Sequence, residues 1–129
     1  MRALFPAFIL FLSILCFTGC KTASTIGGPI EHQKLTNGVF EGDFRGGPNK
    51  AQVRITIEDQ KLVKVEILKH DTWKGKKAEP ILPQRIVDEQ STTVDAVTGA
   101  TNSSNVIMNA VQKAIEKSYA AKADTTSGM

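Results

Sequence analysis

The residues best suited to chemistry lie together in Asp95-Ala96-Val97-Thr98-Gly99-Ala100-Thr101, followed at once by Asn102-Ser103-Ser104. The stretch is too small and polar for a core. It runs into Asn105–Ile115, where apolar residues recur at helical spacing. One account is a turn and a helix cap, since Thr101, Asn102, Ser103 and Ser104 are all good N-cap residues and Gly99 permits a turn. The other is that a threonine hydroxyl is offered to a phosphate. Several hydroxyls crowd the start of a helix, where free N–H groups and the dipole favour an anion. Gly99 and Ala100 leave the Thr101 hydroxyl accessible, and Asp95, six positions upstream, is suited to help hold a metal ion during phosphoryl transfer.

These residues need a scaffold, and the sequence outlines one. Gly38–Phe44 alternates as a strand with Val39, Phe40 and Phe44, and Arg45–Lys50 carries the Gly46-Gly47-Pro48 turn signal. Val53, Ile55 and Ile57 recur at period two, as do Val63, Val65 and Ile67 after a tight turn near Asp59-Gln60. This is a β-hairpin with one buried face, its wet face carrying Arg54, Thr56, Lys64 and Glu66. Pro83 fits the first turn of a short helix to about Gln90 that buries Ile86 and Val87. Val106, Ile107, Ala110, Val111, Ala114 and Ile115 form one stripe of the last helix, with alanines that allow close approach to the sheet. Ala120–Met129 reads as a frayed tail. The expected fold is α+β: a small antiparallel sheet packed by a short helix and a C-terminal helix, in one domain over residues 35–119. A domain of about 85 residues is marginally stable alone, and a buried cofactor ring would add apolar contact.

The N-terminus stands apart. Met1-Arg2 precedes an apolar run, Ala3–Phe17, of about 15 residues, shorter than the roughly 20 that span a bilayer. Phe17-Thr18-Gly19-Cys20 comes next, and the whole resembles a bacterial lipoprotein signal, with Phe17 in place of the usual leucine. That resemblance implies residues 1–19 are removed and Cys20 carries the lipid. An ordinary secretory signal with an incidental cysteine is the alternative. Lys21–His32, rich in small residues, reads as a flexible tether within 20–34, spanning at most roughly 40 Å extended and about 20 Å as coil.

Cys16 and Cys20 are the two cysteines of the chain. With the Cys20 sulfur carrying lipid, the domain would have no thiol for a disulfide, a thiolate zinc site or an iron–sulfur cluster. Redox chemistry would have to come from a bound cofactor. Without residues 1–19, 15 basic residues face 13 acidic ones, a formal +2. Nucleic acid is not an expected partner. The locally basic Lys69–Lys77, with Lys69, Lys74, Lys76 and Lys77, is either a solvated loop or places one lysine against a ligand phosphate. Asn102-Ser103-Ser104 spells a glycosylation sequon, which a bacterial-type lipoprotein signal makes irrelevant.

The Asp95–Ser104 stretch, with Leu82–Ser91 before it and the Asn105–Ile115 helix after it, resembles the small FMN-binding domain. That domain occurs in subunits of the sodium-pumping NADH–quinone oxidoreductase and the Rnf complex, and in exported flavoprotein reductases. The family motif runs Asp, two variable residues, Ser or Thr, Gly, Ala, then Thr or Ser. Asp95–Thr101 matches it without departure, and Asn37–Phe44 with Val53–His70 matches the opening half in order and spacing. The resemblance covers about Leu35 to Ser118.

It implies that Thr101 carries FMN through a phosphoester, and that Thr98, Gly99 and Ala100 shape the phosphate loop. Asp95 would belong to the recognition signal of a flavin transferase that installs the group from FAD with magnesium. A threonine hydroxyl is a poor nucleophile unless activated, which agrees with needing such a helper. His70 could approach Thr101 in the fold or lie at the surface, the latter expected. Trp73 either covers the flavin ring or is a half-buried loop residue.

The expected function is a lipid-anchored electron carrier outside the cytoplasm, on the periplasmic or outer face, exchanging electrons with partner proteins or a membrane quinol oxidoreductase. No G-x-G-x-x-G comes after a strand, and a self-contained nucleotide-dependent enzyme is not expected. A small flavin-dependent reductase and a non-redox binding lipoprotein are the alternatives.

Overall fold

The computed structural model describes residues 23–128. The expected signal segment, 1–19, and Cys20 lie outside the described residues. Strands β1 (Gly38–Gly46), β2 (Asn49–Glu58) and β3 (Lys61–Asp71) form an antiparallel sheet in that order, with β2 central. Helices α1 (Leu82–Glu89) and α2 (Thr101–Ser127) pack on the sheet, α1 against β3 and α2 against β1 and β2. This is the α+β fold expected from the sequence.

Side-chain alternation in β2 decides which face is covered. Ala51, Val53, Ile55 and Ile57 are buried under α2, while Gln52, Arg54 and Thr56 face outward. Asp59 and Gln60, with φ of 50° and 58°, make the two-residue hairpin turn whose twist matches the strands. Gly42 of β1 is where helix and sheet come closest. A side chain there would meet the Ala110 carbonyl and the Ala114 backbone, so the alanines of α2 do allow the close approach expected of them.

β3 departs from simple alternation. Ile57 pairs with Leu62 and Thr56 with Lys64, leaving Val63 as an extra residue; Val53 pairs with Ile67 and Gln52 with Lys69, leaving Leu68 extra. Each bulge reverses the facing of the residues beyond it. Leu62 therefore takes the core position expected for Val63, which is 43% exposed. The second bulge turns His70 inward.

Two terminal expectations are corrected. α2 continues to Ser127 instead of fraying from Ala120. Ala120, Ala121 and Ala123 are strong helix formers, and Lys122 Nζ donates to the Gln33 carbonyl at 2.6 Å. Residues 23–31, expected to be a loose tether, run along α2 as a bound segment. The Ala23 N–H donates to Asn102 Oδ1 (3.0 Å) and its carbonyl accepts from Asn105 Nδ2 (2.6 Å). Asn109, fully buried, accepts from the Ile26 N–H and donates to the Ser24 carbonyl. Pro29 bridges Ser91, and Ile30 enters the core. Small polar residues dock here because side-chain amides satisfy both their donors and acceptors.

Candidate functional site

The start of α2 is set by a compact turn. The Ala100 N–H donates to the Val97 carbonyl (2.9 Å), and the Ser104 N–H to the Ala100 carbonyl (2.8 Å). Gly99 sits at φ 78°, a conformation open to glycine at little cost. Ala100 occupies the N-cap position and supplies no side-chain cap, so the leading N–H groups of α2 remain available to a ligand.

The four polar residues opening the helix have different fates. Ser104 Oγ is buried and accepts from the Val97 N–H at 3.0 Å. Ser103 Oγ is buried and bonds Thr72 Oγ1 at 2.8 Å, and Thr72 Oγ1 accepts from the Gly75 N–H. Asn102 holds Ala23 and donates to the Gly46 carbonyl at 3.3 Å. Thr101 is exposed, and among the described residues its hydroxyl has no hydrogen-bond partner. The sequence presents four equivalent caps; folding commits three to structure and leaves one free.

That hydroxyl lines a cleft of about 210 Å³ between the first turn of α2 and the loop after β3. Thr72, Trp73, Lys74 and Gly75 form one wall; Gly99, Ala100, Thr101, Asn102 and Ser103 form the other, with Asn49 at the end of the sheet. Gly75 approaches so closely that a Cβ on it would collide with Ser103. The Lys77 ammonium stands where a Cβ on Gly99 would be. Of the lysines offered by the sequence, Lys77 thus lies against Gly99 of the Thr-Gly-Ala-Thr turn, and Lys74 lines the cleft itself. Positive charge and free helix N–H groups converge there, which is what a phosphate requires.

The other residues singled out in the sequence lie around this cleft in different roles. Thr98 is exposed but does not line the cleft. Asp95 is exposed; its carbonyl accepts from Arg85 Nη1 at 2.9 Å, which fixes the loop and leaves the carboxylate in solvent. Trp73 is 89% exposed at the cleft rim, with Lys74 Nζ 5.3 Å from its ring. Half-burial of Trp73 is therefore not observed.

His70 corrects the expected surface position. Its side chain is 1% exposed, Nδ1 pairs with Glu79 Oε1 at 2.8 Å, and among the described residues the buried Nε2 has no partner. It braces Glu79, just beyond the 3₁₀ turn Lys76–Ala78 that carries Lys77. Among the described residues no three His, Cys, Asp or Glu gather to hold a metal ion, and no helix is long and apolar enough to cross a membrane.

Sequence reasoning missed the asparagine clamp. Its signal was present as Asn102, Asn105 and Asn109, polar residues at helical spacing beside an apolar stripe.

The FMN-binding domain family matches residues 46–116. An uncharacterized protein of Treponema pallidum is 31% identical over 87 residues, covering 65% of this chain and 24% of that protein. The chain thus spans about a quarter of that relative's length. A crystal structure of a Clostridium perfringens protein superposes with a TM-score of 0.56 at 21% identity, over 68% of this chain and 92% of that one, a likeness of fold. The residues present fit the family's cofactor: free N–H groups, Lys77 and the Gly99 turn suit the phosphate, and Trp73 lines the cleft of about 210 Å³ beside them.

Proposed function

The chain belongs to the FMN-binding domain family, and from that premise we propose that it is an electron-transfer flavoprotein carrying FMN covalently on Thr101, anchored outside the cytoplasm by a lipid on Cys20. The observation that carries the site assignment is the free, exposed Thr101 hydroxyl in the cleft, beside Ser103 and Ser104 whose hydroxyls are spent on structure. FMN when bound supplies a ring that takes up and releases electrons; the protein supplies position and field.

Thr101 forms the ester in a reaction run by a separate transferase with FAD and magnesium. The transferase would join the Thr101 oxygen to the FMN-side phosphorus of FAD, the phosphoanhydride bond breaking so that AMP leaves with the bridging oxygen while the Thr101 proton passes to a transferase base or solvent. Among the described residues neither candidate base is poised to activate the hydroxyl: His70 is engaged with Glu79, and Asp95 is exposed. Asp95 instead belongs to the exposed edge that a transferase would recognise. Lys77 and the α2 N-terminus neutralise the phosphate, and an ester keeps the group bound irrespective of free FMN outside the cell. The electron donor and acceptor are partner proteins or a membrane quinol oxidoreductase.

The test is intact mass after production with and without a flavin transferase. The expected gain is one FMN less one water, absent in Thr101→Ala and kept in Thr98→Ala. Fast turnover of small organic acceptors without a partner protein would favour the reductase alternative.

A further inference from the structure

We propose that the end of the domain bearing the α2 N-terminus faces the bilayer, with anionic lipid headgroups as its partner surface. This rests on the lipid-anchor reading of Cys20. The first observation is where the docked segment begins. The Ala23 backbone is held on both sides, by Asn102 Oδ1 and Asn105 Nδ2, one and four residues into α2 beyond Thr101. Cys20 is three residues earlier, so it lies within about 11 Å of Ala23 even with the chain fully extended. The anchor is thus a short leash fixed at the cleft end, where the sequence alone suggests a long one free to swivel. The 27-residue helix α2 carries the other end of the domain about 40 Å away.

The second observation is the chemistry of that end. Trp73, 89% exposed, stands beside exposed Lys74, Lys76 and Lys77. Among the described residues none of these three lysines is in a salt bridge, whereas neighbouring Lys69 pairs with Asp71 and Glu79 with His70. An exposed tryptophan flanked by unpaired lysines suits the headgroup layer, where the indole is half-immersed and each cation gains from negative lipid. Leash and surface point the same way by independent routes. A group on Thr101 would therefore be presented to carriers in or on the membrane.

Trp73 is the one tryptophan in the chain, so its emission reports this end alone. The lipidated full chain would be placed on phosphatidylcholine vesicles with and without about one-third phosphatidylglycerol, each with or without headgroup spin-labelled lipid. The expected result is loss of Trp73 emission with the label, stronger with phosphatidylglycerol and weaker in the double variant Lys74→Glu, Lys76→Glu. Asn102→Ala, Asn105→Ala and Asn109→Ala together should keep co-flotation with vesicles and lose the quenching, because the leash lengthens. A chain that floats with its Trp73 emission unaffected by the label overturns the orientation and leaves the anchor standing. A chain that does not float, or floats equally as Cys20→Ser, overturns the anchor and the orientation with it. Trp73 responding to a soluble partner protein and not to labelled vesicles would assign this end to protein docking instead.

Discussion

Two hydroxyls three residues apart, Thr101 and Ser104, should respond oppositely to removal. Ser104 Oγ accepts the buried Val97 N–H at 3.0 Å, and in Ser104→Ala that donor has no replacement partner. An unsatisfied buried N–H costs about 1–3 kcal/mol, and in a domain this small each kcal/mol moves Tm by about 4–8 °C. The flavin-free Ser104→Ala protein should melt roughly 4–24 °C low. Thr101 is exposed and unpaired among the described residues, so Thr101→Ala removes nothing the fold uses. Alanine is also the better helix former by a few tenths of a kcal/mol. Its flavin-free Tm should stay within about 3 °C of the parent. After production with a transferase the order reverses: folded Ser104→Ala still shows flavin fluorescence on a denaturing gel, and Thr101→Ala shows none. Circular dichroism melts and in-gel fluorescence measure the two arms. If flavin-free Thr101→Ala melts as low as Ser104→Ala, Thr101 is a structural cap. If it keeps fluorescence through denaturation, the ester is elsewhere.

Gly42→Ala should be among the most damaging single-carbon additions, because the new Cβ meets the Ala110 carbonyl and the Ala114 backbone; a loss of about 1–3 kcal/mol by denaturant titration is expected. Asn109→Ala strands the Ile26 N–H and the Ser24 carbonyl, so hydrogen exchange at residues 23–28 should accelerate and stability should fall by about 1–3 kcal/mol. Unchanged exchange there would mean the segment is not held by this clamp. Gly99→Ala places a side chain at φ 78° and against Lys77. It should cost about 1–2 kcal/mol and lower the fraction of protein carrying flavin by intact mass.

Legible in the sequence was whatever one residue type in one period can encode. The alternation in β2, the stripe on α2 and the polar Asp59-Gln60 turn were all readable, because burying one face is the dominant energy and leaves a regular trace. The bulges in β3 left none: Leu62 and Val63 are both apolar, as are Ile67 and Leu68, so the pattern permits either register. That ambiguity hid His70, whose inward turn results from the second bulge. The bound Ala23–Ile30 segment was illegible for another reason. It is held largely by side-chain amides of α2 that accept from and donate to backbone, and backbone groups are the same in every sequence.

The candidate site divides along the same line. Motif and helix start were visible in Asp95–Thr101, and the motif points to Thr101, yet cap chemistry alone makes no choice among the hydroxyls, since Thr101, Ser103 and Ser104 are alike as caps. The choice is made by distant partners: Thr72 takes Ser103, and the fold of the Val97–Ala100 turn takes Ser104. Thr72 lines the cleft, and the Val97 bond to Ser104 fixes the turn that ends in cleft-lining Gly99 and Ala100, so the bonds that remove competing hydroxyls also shape the walls around the one left over. Cleft and free hydroxyl thus share a cause. A substitution that releases Ser103, such as Thr72→Val, should loosen the Trp73–Gly75 wall and expose a second acceptor beside Thr101 at once. If the fold sets the selectivity for residue 101, peptide mapping of that variant should find flavin on both Thr101 and Ser103. Adduct confined to Thr101 in a folded Thr72→Val protein would place the selectivity in the transferase.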